Sequence, residues 1–182
     1  MQYMDTQVEI IAEARHLRLV RQGGWEFAER IRISGIVCIV ALTSDQRLLL
    51  VEQPRIPVGC RVIELPAGLA GDSPATQGEP LEAAAERELL EETGYRAQSM
   101  SCLFCGPTSP GMTNEQITFL LARDCGLAET RIFDASEDIA VHAVPLPAVE
   151  VWLGEQASLG KAIDIKVYAG LYVARTFSPF SP

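Results

Sequence analysis

An α/β/α sandwich preceded by an N-terminal antiparallel arm is the fold class this chain predicts, and three features carry it. A continuous apolar run, Ile36-Val37-Cys38-Ile39-Val40 with Ala41 and Leu42, is the pattern of a strand buried on both faces. A long Ala/Leu/Glu segment from Leu81 to Thr93 interrupts the strand candidates and has strong helix propensity. Two more helical stretches follow late in the chain, one after Pro147 and one over Ile163 to Arg175. Sheet strands with helices on both sides make the sandwich.

Taken in order, residues 5–33 alternate weakly around a turn at Arg21-Gln-Gly-Gly24 and read as the arm. Gly35 opens the buried strand, and Ser44-Asp45-Gln46 turns it into a partner from Arg47 to Glu52. A strand around Val62 to Leu65 leads into a Pro66-Ala67-Gly68 turn. Gly94 stops the central helix, since glycine takes the left-handed conformation a helix end requires. Ser101 to Cys105, Gln116 to Arg123 and His142 to Leu146 are the remaining strand candidates. The boundaries are 1–33 for the arm, 34–176 for the main domain and 177–182 for an irregular tail.

Apolar residues make up 48% of the 182, enough for a sizeable core, yet no window approaches a membrane span. The start, Met-Gln-Tyr-Met-Asp, has no basic region followed by an apolar one. A formal charge of −9 speaks against binding a nucleic-acid backbone. It does not speak against phosphorylated small molecules, because a bound divalent cation inverts the local sign. The five cysteines (Cys38, Cys60, Cys102, Cys105, Cys125) are odd in number and scattered, so ordinary buried thiols in a reducing, cytoplasmic compartment are expected. Cys102-Leu-Phe-Cys105 has the spacing of a metal or redox pair but no second pair to complete it.

Chemistry concentrates in the helix. Glu88 and Glu92 are four residues apart and share a face, with Arg87 and Glu91 beside them. Carboxylates gathered this closely repel unless a cation neutralises them, and hard oxygen ligands suit Mg²⁺ or Mn²⁺ better than zinc. A solvated acidic face with an Arg–Glu pair is the plainer alternative.

The flanking residues decide between the two. Glu79 is followed after seven residues by Arg87-Glu88, then Glu91-Glu92 and Gly94, and this resembles the signature of the Nudix hydrolases. Tyr95 is its one loose position. The family glycine six places before Glu79 is Ser73 here. Gly68 in Leu65-Pro-Ala-Gly68 takes its place, with ten intervening residues instead of five and a turn-rich insertion over Gly71 to Gln77.

The resemblance implies Mg²⁺-dependent hydrolysis of a nucleoside diphosphate linked to another group. Glu88, Glu92 and the Ala67 carbonyl would be metal ligands, and Glu91 a ligand or a bridge to metal-bound water. Arg87 would hold a glutamate in place and Glu79 would support it. Pro110 falls fifteen residues beyond Tyr95, which resembles the ADP-ribose and ADP-sugar pyrophosphatase branch. In that branch Trp25, Glu26 and Arg30 resemble the element that stacks on adenine, supplied partly across a homodimer interface; a core tryptophan is the alternative. Arg55 would contact the diphosphate, and Glu64 the metal or the substrate. Glu115 reads as a ribose contact, a metal-water contact or plain loop surface. Glu137 would be a late metal ligand. Ala135 stands where some relatives carry a general base, which leaves Asp134, Glu137, Glu115, Glu91 or the metals to supply that role. The implied reaction is ADP-ribose to AMP and ribose 5-phosphate. Hydrolysis of GDP-mannose or UDP-glucose, or a sensor domain that binds ADP-ribose without cleaving it, are the alternatives.

Overall fold

The computed structural model describes residues 7–128 and 138–176. The arm is a small antiparallel sheet of β1 (Glu9–Glu13), β2 (Leu17–Gln22) and β3 (Trp25–Arg30). Gly23 and Gly24, both at positive φ, make the tight turn between its last two strands.

The main sheet is built around β4 (Gly35–Thr43). The other strands of this sheet are β5 (Arg47–Arg55), β6 (Cys60–Glu64), β7 (Ala67–Ala70), β8 (Tyr95–Arg96), β9 (Ser99–Pro107), β10 (Gln116–Leu127), β11 (Ala140–Pro145) and β12 (Ala162–Ile163). Strand β4 runs parallel to β10 and antiparallel to β7, while its hairpin partner β5 pairs β6 and β11. The helices are α1 (Leu81–Thr93), α2 (Val149–Ser158) and α3 (Ile165–Thr176).

Alternation along β4 explains the layers. Ile36, Cys38, Val40 and Leu42 face a core shared with Val149 and Leu153 of α2 and Val167 and Leu171 of α3. Val37, Ile39 and Ala41 face the other side, against Ala84, Ala85 and Leu89 of α1. Successive strand residues point to opposite faces, so one apolar run fills both cores and makes the sandwich. Gly94 ends α1 at φ 74, its N–H bonded to Leu90 O, as the glycine stop predicts.

Three local expectations change. Ala67 and Gly68 belong to strand β7, not to a turn, because their backbone finds a partner in Val37 and Cys38 of β4. Helix α3 starts two residues later than expected, since Ala162 and Ile163 pair in parallel with Val62 and Ile63. Cys102 and Cys105 are exposed, not buried. Their strand β9 pairs β10 with a register shift opposite Phe119 and Leu120. Its apolar character comes from Leu103 and from Phe104, whose ring stacks on Phe119 at 4.8 Å. The insertion over Gly71 to Gln77 is a loop, as expected. The tail at 177–182 lies outside the described residues, and so do Asp134, Ala135 and Glu137. Among the described residues no helix is long and apolar enough to cross a membrane.

Candidate active site

Helix α1 and strand β7 build the centre of the site together. Gly68 leaves room there for a helix carboxylate: a Cβ on it would meet the Glu88 carboxyl carbon at 1.9 Å, so any larger residue would displace that side chain. The Glu88 side chain therefore lies flat on the Gly68 backbone. This makes Gly68, and not Ser73, the residue in contact with the helix carboxylates. One residue away, the Ala67 N–H donates to Glu92 Oε2 at 3.0 Å, so Glu92 reaches the same strand.

Arg87 organises the remaining acids. Its Nη2 donates to Glu79 Oε1 at 2.8 Å and to the Leu69 carbonyl at 3.0 Å. Its Nη1 donates to Glu88 Oε1 at 2.7 Å and Glu91 Oε2 at 3.0 Å. One guanidinium thus serves three carboxylates and a strand carbonyl, which uses the fixed fork of donors that a lysine lacks. The hydrogen bond to Glu79 and the surrounding carboxylates raise the Arg87 pKa further above its ordinary value. Glu79 is held below its usual range, first by Arg87 and then by the Gly71 N–H. Glu88 goes the other way: burial pushes it up and Arg87 does not fully offset that. Glu91 is the open member, with 40% of its side chain exposed against 14% for Glu88.

The donor chemistry fits a hard divalent cation. Glu88 and Glu92 are oxygen donors on one helix face, flanked by Glu91, and the acids outnumber the single arginine. Among the described residues no three acidic, histidine or cysteine side chains converge on one point. Arg87 stands between Glu88 and Glu91, and Glu137 falls outside the described residues.

Two further groups flank this centre. Arg55 Nε donates to Glu64 Oε2 at 2.9 Å, its side chain reaching back along the ladder in which Arg55 pairs Cys60 and Glu64 pairs Val51. On the arm, Trp25 is 60% exposed and so is no core tryptophan. It lines a concavity of about 450 Å³ together with Phe27, Pro107, Pro110, Asn114 and Gln116. The wall opposite it is the Ser109–Glu115 loop, tied to β3 by the Ala28 N–H on Met112 O at 2.9 Å and by Asn114 on Glu29 at 2.8 Å. Arg30 approaches Glu115 at 3.4 Å in the same junction. Glu26 is turned away, paired with Arg21 at 2.7 Å.

The sequence reading missed a second charged centre. Glu52, 6% exposed, accepts from Arg61 Nε at 2.6 Å and Lys161 Nζ at 2.8 Å, and pairs His142 Nε2 at 2.9 Å. Burial alone would raise its pKa, but the hydrogen bonds from Lys161, Arg61 and His142 outweigh it and bring it to about 2. Arg61 also reaches Asp138 at 2.6 Å. The four principal residues come from β5, β6, β11 and the segment after α2, so no local spacing announces them. The single sequence-level signal is a glutamate directly after the apolar run Leu48-Leu49-Leu50-Val51.

A family model, several relatives and a solved structure are similar to much of this chain. The NUDIX domain family model matches residues 33–163. An ADP-ribose pyrophosphatase of Bacillus subtilis (strain 168) is 34% identical over 119 residues, 65% of this chain and 62% of that protein. A methanol dehydrogenase activator of Bacillus methanolicus is 37% identical over 95 residues, 52% of this chain and 49% of that protein. The matched stretch thus spans about half of one of these relatives and just under two thirds of the other. A solved structure described as an ADP compounds hydrolase superposes with a TM-score of 0.71, covering 97% of this chain and 96% of the other at 19% identity, which is a likeness of fold.

Proposed function

The chain belongs to the NUDIX domain family, and from that premise we propose that it hydrolyses the diphosphate of ADP-ribose or a related nucleotide sugar with Mg²⁺ or Mn²⁺, releasing AMP and a sugar phosphate. The observation that carries the reading is the seating of Glu88 on Gly68 and of Glu92 on the Ala67 N–H, which aims two carboxylates at one strand. Glu88, Glu92, the Ala67 carbonyl and Glu137 are the residues assigned to hold the metal. A divalent ion there neutralises the diphosphate and lowers the pKa of water. The similarity to the B. subtilis ADP-ribose pyrophosphatase supports an ADP-sugar substrate.

The protein's own part is orientation. Arg87 holds Glu88 and Glu91 apart at fixed distances, so that Glu91, the exposed carboxylate, is positioned to align the attacking water. Trp25 offers an open aromatic face, and stacking a base on it is worth about 1–3 kcal/mol. Arg30 and Glu115 lie at the junction beside it, and Arg55 with Glu64 takes the diphosphate side. Glu26, held by Arg21, has to change partner to reach a nucleotide.

The arm favours a homodimer. Its sheet leaves Ile10 exposed on the face that carries Trp25, and Leu17 and Leu19 exposed on the opposite face, apolar side chains that a second copy would cover. The free thiols fit a reducing cytoplasm. Product analysis tests the reaction directly. AMP release from ADP-ribose is expected with Mg²⁺, absent with chelator, and abolished in Glu92→Gln. Unchanged turnover in that variant would refute the metal-site assignment, and a catalytically normal monomer by light scattering would refute the cross-subunit arm.

A further inference from the structure

At the Arg55–Glu64 pair lies a cavity of about 440 Å³, bounded by these two residues, Asp164 and Lys166, with Val58 and Ile165 on its walls. Its size falls in the range of small-molecule sites, about 300–1,000 Å³. Resting on the hydrolase reading above, we infer that this cavity is the subsite for the sugar-phosphate half of the substrate, with Lys166 as its phosphate contact.

The position of Lys166 follows from backbone geometry. Ile163 pairs with Ile63 of β6, and the Asp164 N–H donates to the Ile63 carbonyl at 2.9 Å. Asp164 then caps α3, its Oδ1 accepting the Lys166 N–H at 2.8 Å. Helix α3 is drawn close to the end of β6 at Gly170, where a Cβ would meet Leu65 Cδ1 at 2.6 Å. The start of the helix is therefore locked beside Glu64. Burial pushes the Cys38 thiol up to about 12, and Lys166, Asp164, Glu92 and Glu64 all act on it electrostatically.

The chemistry suits a phosphorylated polyol. Arg55 uses Nε on Glu64, and Lys166 uses Nζ on Asp164, so both cations keep donors for a phosphate. The two carboxylates can accept from sugar hydroxyls in exchange. Val58 and Ile165 are large apolar residues left exposed at the rim, as expected where a ligand covers them. The cavity is also aligned with the rest of the site. Ile165 and Lys166 line a second hollow of about 240 Å³ that extends to Pro107, and Pro107 borders the Trp25 concavity. Base and sugar phosphate would occupy opposite ends of one trough, with Lys166 on the sugar-phosphate side.

Titration calorimetry with Mg²⁺ present tests this, using ribose 5-phosphate and AMP as separate probes on wild type, Lys166→Gln and Ile165→Trp. Lys166→Gln is expected to weaken ribose 5-phosphate about tenfold and leave AMP within about twofold. Ile165→Trp, at an exposed position, should fill the cavity and weaken ribose 5-phosphate alone. Equal loss of both probes, or no loss of either, would overturn the assignment. Ribose 5-phosphate binding without ADP-ribose turnover would uphold the subsite and sink the hydrolase reading. Turnover with no ribose 5-phosphate binding in wild type would do the reverse.

Discussion

Two charge clusters in this protein are mirror images. In one, the Arg87 guanidinium sits among Glu79, Glu88 and Glu91. In the other, the Glu52 carboxylate sits among Arg61, Lys161 and His142. The first has more acids than its cation can neutralise, and burial raises Glu88 accordingly. The second has cations enough to hold Glu52 at about 2 even when buried. An unbalanced cluster invites a further cation and lies in the candidate active site. A balanced one needs nothing added, and it joins strands and helix into one unit.

Breaking the first cluster at a metal-site carboxylate should have the largest effect. Glu92→Gln is expected to lower kcat by about a thousandfold, the loss of several kcal/mol of charge stabilisation, with little change in melting temperature. Gly68→Ala forces Glu88 off its seat, so activity should fall by about a hundredfold and Mg²⁺ should bind more weakly in a fluorescence titration. A wild-type rate in Gly68→Ala would show that the Glu88 position is immaterial.

The next tests set the clusters directly against each other. Arg87→Ala leaves three carboxylates uncompensated and should cost about 3 kcal/mol, and millimolar Mg²⁺ should restore part of it. Glu52→Gln leaves the partly exposed Arg61 and Lys161 without their shared carboxylate and should cost less, about 1–2 kcal/mol, and Mg²⁺ should restore none of it. Equal Mg²⁺ responses of the two variants in thermal melts would remove the distinction between them.

The pH dependence sharpens it further. Glu52 titrates near 2 in the folded protein against an ordinary value of 4.5, so its contribution is present above pH 4.5 and is lost as pH falls through 2. Wild type should lose stability over that window, and Glu52→Gln should lack this component in urea melts at pH 5 and pH 3. The smallest effect is expected for His142→Phe, about 1 kcal/mol. That change removes one hydrogen bond to Glu52 and keeps an aromatic ring beside Trp152, 4.9 Å away.

The contrast also explains what could be read without coordinates. Arg87, Glu88, Glu91 and Glu92 lie within two turns of one helix, so helical period alone puts them together. The arm and the β4–β5 hairpin were legible because Gly23-Gly24 and Ser44-Asp45-Gln46 carry turn chemistry between apolar runs. Glu52, Arg61, His142 and Lys161 share no local period, and only the strand pairings β5–β6 and β5–β11 bring three of them side by side. Strand β7 was missed for a related reason: Pro-Ala-Gly is a turn by composition until β4 supplies its partner. Cys102 and Cys105 are exposed on a strand that pairs only β10 among the described residues, an edge position that composition does not encode.

One consequence concerns the loop between β7 and α1. Glu79 receives the Gly71 N–H and also holds Arg87, so it closes the base of the 71–78 loop as a clasp. Beyond the clasp, the loop's side-chain hydrogen bonds run among its own Asp72, Ser73 and Thr76. Doubling the length of a flexible loop costs only about 0.6 kcal/mol in closure entropy. This makes the tip around Pro74 and Ala75 a permissive insertion point, where an affinity tag or a fluorescent reporter can be grafted without moving Glu88.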